Sequence, residues 1–166
     1  VNRELCKTVD RDWLALGIDP GVSGAAALIR VSGDHVGLIR LVDVDALLAI
    51  GELAAWADVV VLEEQQASPQ MGRTSVFELG RRFGCVEGVL ASAGVEPVRT
   101  WPTQWRGAFG LTSKVGGLAL ARELLGHAPA DVELTRHDQA DAVLLAWWGW
   151  RHVPRLAVER GCDGQA

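Results

Sequence analysis

Apolar positions fall into short runs early in the chain and into helical spacings later. "WLALGI" (residues 13–18) reads as a buried strand that runs into the tight-turn sequence "DPGVSG". "AAALIRV" and "HVGLIRLV", separated by "SGD", predict two more strands joined by a hairpin, so the first three strands form an antiparallel meander. Residues 44–57 carry helical apolar spacing, with Asp43 and Asp45 near the start. "DVVVLEE" (residues 58–64) is nearly all apolar before its acids, as a central parallel strand would be. A polar loop, "QQASPQMGRTS", leads into a long helix over 75–94, with Ser or Thr expected to cap its start and Gly its end. A short strand (95–100), a helical turn (102–110), a glycine-weakened helix (112–126), a connection "APADVELT" and a last helix (136–153) complete the pattern.

Three meandering strands followed by strand–helix units imply an α/β fold: a five-stranded mixed sheet, three strands antiparallel and two parallel, with helices on both faces. The pattern places one domain over 13–153, a polar lead over 1–12 and a tail over 154–166, where partial disorder is expected. No stretch is long and apolar enough for a membrane span, and the first residues lack the order of a secretory signal. A cytoplasmic location is the default. Cys6, Cys85 and Cys162 are too far apart for a zinc-ligand pair or a disulfide framework, and are read as incidental thiols. Trp13 and Trp56 read as core. Trp147, Trp148 and Trp150 extend the last helix and are too many for one small core, so some are expected at a dimer interface.

Net charge is −5, a poor overall signature for a nucleic-acid binder. Local charge differs: between Arg73 and Arg136 eight Lys or Arg face six Asp or Glu, so the middle is mildly basic. The acids are more informative. Asp19 directly follows a buried strand, Glu63 ends the run "VVVL", and Asp138 and Asp141 open an apolar helix on one face. Acids are rarely buried unless paired or bound to metal. A turn role explains Asp19 taken alone, an arginine partner would explain Glu63, and the helix dipole would explain Asp138; Asp141, one turn further in, fits capping less well. If strands one and four are neighbours, Asp19 and Glu63 meet at the sheet and the last helix crosses the same place. Carboxylates gathered there repel one another without cations, and hard oxygen ligands suit Mg2+ or Mn2+. Two such ions are the usual device for phosphodiester hydrolysis.

"LALGIDPGVSGAAAL", "VVVLEEQQASPQMGRTSVFELG" and "RHDQADAVLLA" together resemble the RuvC family of crossover junction endodeoxyribonucleases (Holliday junction resolvases). "VEPVRTWPTQWRGAFGLTSK" is similar to the phage and prophage type of RuvC-like protein. The resemblance runs from Trp13 to about Trp150, and the order of the blocks is far more specific than any one block. It implies an RNase H-like fold, a homodimer and paired symmetric nicks in a four-way DNA junction that leave 5′ phosphates, with two Mg2+ or Mn2+ ions per site. A branch-migration helicase would be a partner. The family's strand acids correspond to Asp19 and Glu63, with Glu64 as the alternative should the strand shift by one residue. The acid pair of its last helix corresponds to Asp138 and Asp141. His137 and Asp138 share or exchange a role, and Asp141 is the firmer member.

Lys114 is the first candidate for a catalytic phosphate contact, because a cation near a helix start is disfavoured by the dipole. Arg106 and Arg73 follow as DNA-binding candidates, each against a reading as solvated surface charge. The loop 65–74 would enter the junction or read bases. Where relatives can place an aromatic wedge, this loop offers Met71, with Phe77 further on inside the helix. Trp101 and Trp105 bracket the "WPTQW" turn and are read as buttresses of the site in preference to DNA contacts. Three alternatives stand beside this reading. One is an RNase H-like nuclease acting on RNA–DNA hybrids or flaps. Another is a sugar-kinase or actin-like ATPase, whose further phosphate-binding domain this chain is too short to hold. The third is a non-catalytic DNA-binding or assembly protein on the same fold.

Overall fold

The computed structural model describes residues 12–126 and 134–153. The lead over 1–11, residues 127–133 with most of the "APADVELT" connection, the tail from Pro154, Cys6 and Cys162 lie outside the described residues. Strands β1 (Trp13–Asp19), β2 (Ala25–Ser32) and β3 (His35–Asp43) form the expected meander, with Gly33 at φ +57° opening the two-residue turn between β2 and β3. Helix α1 (Leu47–Trp56), strand β4 (Val59–Glu63), helix α2 (Arg73–Ser92) and strand β5 (Val98–Thr100) follow. Helices α3 (Pro102–Ala108), α4 (Lys114–Leu125) and α5 (His137–His152) close the described fold. The sheet order is β3-β2-β1-β4-β5, with β1 antiparallel to β2 and parallel to β4, and β4 parallel to β5. This is the five-stranded mixed sheet of an RNase H-like fold.

Strand alternation divides the core in two. Ala15 of β1, Val59 and Val61 of β4 and Ala27 and Ile29 of β2 face a cluster containing Trp105, Ala121 and the buried side of α5. Leu16 and Ile18, Val60 and Leu62, and Ala26 and Leu28 face the other cluster, against Ile50 and Leu53 of α1 and Val86 and Leu90 of α2. With a period of two, Asp19 and Glu63 belong to the face covered by α5, and Glu64 to the opposite face.

Helix α5 lies on the sheet without a gap because two glycines remove the side chains that would hold it off. A Cβ on Gly17 would stand 2.1 Å from the Ala142 carbonyl oxygen and 2.4 Å from the Ala146 nitrogen. A Cβ on Gly149 would stand 2.3 Å from Val61 Cγ2. The helix thus touches the backbone of β1 one turn from Asp141, and that contact fixes where the acid arrives. The far end of α2 is closed by Gly94 at φ +69°, with Val95 N–H donating to the Leu90 carbonyl and Gly94 N–H to that of Ala91.

Several expectations need correction. Helix α2 begins after Gly72, with no side-chain cap; Thr74 and Ser75 lie inside its first turn. The helix over 112–126 is capped by Ser113, whose hydroxyl accepts from Gly116 N–H at 3.2 Å. Trp56 is not core: it is 70% exposed at the end of α1. Trp147, Trp148 and Trp150 all pack against the α5-side cluster, because their flat rings lie along it half-buried, Trp147 stacked on Phe109 at 5.0 Å and Trp148 on His152 at 4.8 Å. Among the described residues no helix is long and apolar enough to cross a membrane.

The close approach at Gly17 has a direct test. Gly17→Ala is expected to cost about 3 kcal/mol in urea unfolding, at the upper end for overpacking, since backbone atoms must give way. Gly37→Ala, where an added Cβ meets nothing within 4 Å, is expected to stay within about 0.5 kcal/mol of wild type.

Candidate active site

Four acids arrive at one end of the sheet from three elements. Asp19 is the last residue of β1, and its Oδ1 accepts the Gly21 N–H at 2.9 Å, so the "DPG" turn fixes the carboxylate's direction. The same turn is locked by Gly24 N–H donating to the Gly21 carbonyl, and a Cβ on Gly24 would stand 2.0 Å from the Asp19 carbonyl oxygen. Glu63 ends β4, one step beyond the last parallel pair, Ile18 with Leu62. Asp138 and Asp141 come from the first turns of α5. Asp19, Glu63 and Asp141 are 6%, 5% and 5% exposed, and Asp138 is half-buried.

The charges feel one another. Burial, aided by the Glu63, Asp141 and Asp138 carboxylates, pushes the Asp19 pKa up to about 7, against the partial relief of the Gly21 N–H. Burial likewise raises Glu63, and the indole N–H of Trp105 offsets part of the rise. That indole Nε1 donates to Glu63 Oε1 at 2.8 Å, and Gln65 Nε2 donates to Oε2 at 3.1 Å. Trp105 is fully buried, so its polar atom needs a partner inside the protein, and Glu63 is that partner. The next residue, Arg106, places Nη2 2.5 Å from Asp141 Oδ2. Adjacent side chains of α3 therefore hold the acids of β4 and of α5. Trp105 thus buttresses the site as the sequence suggested, but its partner Glu63 and the pairing of Arg106 with Asp141 were not expected.

The other candidates separate cleanly. Glu64 points away, pairing with Arg99, so Glu63 is the acid that the strand register turns inward. His137 is the first residue of α5 and half-buried. Lys114 is the first residue of α4, and Arg73, exposed, is the first of α2. Met71 is half-buried, and its sulfur accepts the Ser68 N–H at 3.4 Å within its own loop. Trp101 is 43% exposed and borders an open cavity of about 460 Å³ with Glu64, Gln65, Gln66, Pro102 and Thr103, next to Glu63. The basic middle of the chain is largely spent internally. Arg81, Arg82, Arg99, Arg106 and Arg136 form ion pairs with Glu78, Asp45, Glu87, Asp141 and Asp43 respectively, and Arg122 donates to the Leu134 carbonyl.

The structure of Thermus thermophilus RuvC superposes with a TM-score of 0.66, covering 87% of this chain and 96% of that one at 22% identity. The fold is that of RuvC. The T. thermophilus RuvC structure in complex with a Holliday junction substrate gives a TM-score of 0.58, covering 85% and 96% of the two chains at 21% identity. In sequence, the chain is 38% identical over 76 residues to the chloroplastic Holliday junction resolvase MOC1 of Chlamydomonas reinhardtii, a match over 45% of this chain. The match spans 8% of the length of that relative. No protein-family model matches the chain. Likeness to RuvC-type resolvases thus extends over most of the chain in fold and about half of it in sequence.

A divalent cation fits the donor set at this site by its chemistry: hard carboxylate oxygens, buried together, one of them held near neutral pKa by burial and by the others. Among the described residues, no three His, Cys, Asp or Glu side chains stand as a ready-made metal cluster.

The raised Asp19 pKa sets a pH signature for the metal-free protein. The folded state holds a proton that the unfolded chain gives up near 3.8, so stability falls as pH rises through the window from about 4 to about 7. Asp19→Asn, which carries no charge, removes that loss. In EDTA its melting temperature is expected to exceed that of wild type at pH 8 and to approach it at pH 4.5.

Proposed function

We propose that this protein is a structure-selective endonuclease that resolves four-way DNA junctions by paired symmetric nicks, leaving 5′ phosphates. The observation that carries the reading is the meeting of Asp19, Glu63 and Asp141, each buried, on one face of a RuvC-like sheet. The solved RuvC complex with a Holliday junction substrate supports branched DNA as the partner. Asp19, Glu63, Asp138 and Asp141 would hold two Mg2+ or Mn2+ ions, which when bound supply charge neutralisation at the phosphate and an acidified attacking water. The chain's own residues prepare the site. The Gly21 N–H aims Asp19, Trp105 and Gln65 hold both oxygens of Glu63, and α5 packed on Gly17 brings Asp141 over the strand ends. Lys114, at the start of α4, is assigned to the phosphate, with His137 beside the α5 acids and with Arg73 and Met71 on the DNA side.

Paired nicking needs two copies. The exposed face of α2 supports this: Phe77 is 68% exposed and Val76 36%, while Gly80, Gly84 and Gly88 on the same helix have open space above them. Such a face admits close helix–helix approach around an aromatic anchor. A cytoplasmic location and a branch-migration helicase partner belong to the same reading.

The decisive assay is cleavage of a synthetic four-way junction in Mg2+ or Mn2+, with linear duplex, flap and RNA–DNA hybrid as controls. Wild type is expected to nick opposite strands of the junction symmetrically, and Asp19→Asn to lose at least about 100-fold in rate. Cleavage of hybrid or flap instead would redirect the substrate, and metal-dependent binding without cleavage would make the protein a non-catalytic junction binder. Phe77→Glu is expected to shift the sedimentation coefficient from dimer to monomer.

A further inference from the structure

Arg106 is placed where a cation is needed and held there incompletely. Its Nη2 meets Asp141 Oδ2, but its Nε is buried without a hydrogen-bond partner. Arginine–carboxylate pairs frequently form two parallel N–H bonds, and that geometry is the strong one. Here only one edge atom engages, and a buried donor is left unsatisfied, which costs free energy. The guanidinium carbon lies 5.0 Å from the Trp105 ring centre, so the indole offers a face along which the group is stabilised. The side chain is 30% exposed, whereas that of Asp141 is 7% exposed. The arginine has a way out to solvent, and the aspartate does not.

The other buried acids are met by neutral donors, Asp19 by the Gly21 N–H and Glu63 by the Trp105 indole and the Gln65 amide, whereas Asp141 is met by the charged Arg106 guanidinium. Trp105, the neighbour of Arg106 on α3, is fully buried on Glu63 and has no comparable exit. Helix α3 therefore holds one acid by a fixed neutral donor and the other by a releasable charge.

We propose that Arg106 is the resident counter-ion of the acid site, which a divalent cation must displace from Asp141, and that the freed guanidinium then serves phosphate. This rests on reading Asp19, Glu63, Asp138 and Asp141 as a divalent-cation site. It accounts for two observations at once: no group of three ligand side chains stands assembled among the described residues, and one of the three buried acids is already engaged by a cation. It also couples metal loading to DNA: a phosphate that takes up the released guanidinium favours the loaded state, and by linkage the loaded state favours phosphate.

The test measures Mn2+ binding without DNA, by titration calorimetry and by the loss of free Mn2+ in electron paramagnetic resonance, so that nuclease activity plays no part. Arg106→Gln is expected to bind Mn2+ about tenfold more tightly than wild type, the weight of one charge-assisted hydrogen bond removed from the competition. Arg106→Lys is expected to fall between them, and Asp19→Asn to bind more weakly than wild type. In wild type, the 15N side-chain resonance of Arg106, assigned by its absence from Arg106→Lys, is expected to shift as Mg2+ is added. Equal or weaker Mn2+ binding by Arg106→Gln, with Asp19→Asn still impaired, would overturn the displacement and leave the cation site standing. An Arg106 resonance unmoved by saturating Mg2+ would overturn it in the wild-type protein, even were Arg106→Gln to misfold. Mn2+ binding indifferent to Asp19→Asn would overturn the cation site as well.

Discussion

Carboxylates removed from water beside one another are the constraint on which this fold turns. Two sit at the ends of the central parallel strands and a third under the first turns of α5, all at least nine-tenths buried. The α5-side core around them is built mainly of alanine, valine and leucine, with Ile29 and Trp105. Left alone, such a group resists ionisation, as Asp19 does. The neighbouring structure consists largely of partial answers to that problem: a backbone N–H for Asp19, an indole and an amide for Glu63, a guanidinium for Asp141.

Most of the fold was legible because its elements are locally consistent. Alternation and uninterrupted apolar runs marked the strands, and the helices carried their own periodicity, so differences are confined to ends and caps. The position of Asp19 after "LALGI" and of Glu63 after "VVVL" was enough to mark them, since a carboxylate at the edge of a buried strand is costly unless something there holds its charge. The choice between Glu63 and Glu64 was not legible. It required the register of β4 against β1, which the parallel pairing supplies, together with the arginine that claims Glu64.

The partners of the acids were hidden by their distance along the chain. Trp105 and Arg106 lie 42 and 35 residues from Glu63 and Asp141, and no local pattern links residues that meet only after the sheet has formed. Trp56 shows the converse error: a large apolar residue on a helical pattern reads as core, yet at the last turn of a short helix it stands in solvent. Nor does a local excess of basic residues make a phosphate surface when five of the eight are ion-paired within the chain.

The two-residue period of β4 also governs how such a protein can change over evolutionary time. One residue inserted within this five-residue strand would turn Glu63 toward α2 and bring a neighbour into its place, so the strand tolerates substitution but not a change of length. The loop that follows, from Gln65 to α2, carries no such parity. Its length can drift while the acids stay in phase, leaving the acid cluster fixed and the surface beside it open to variation.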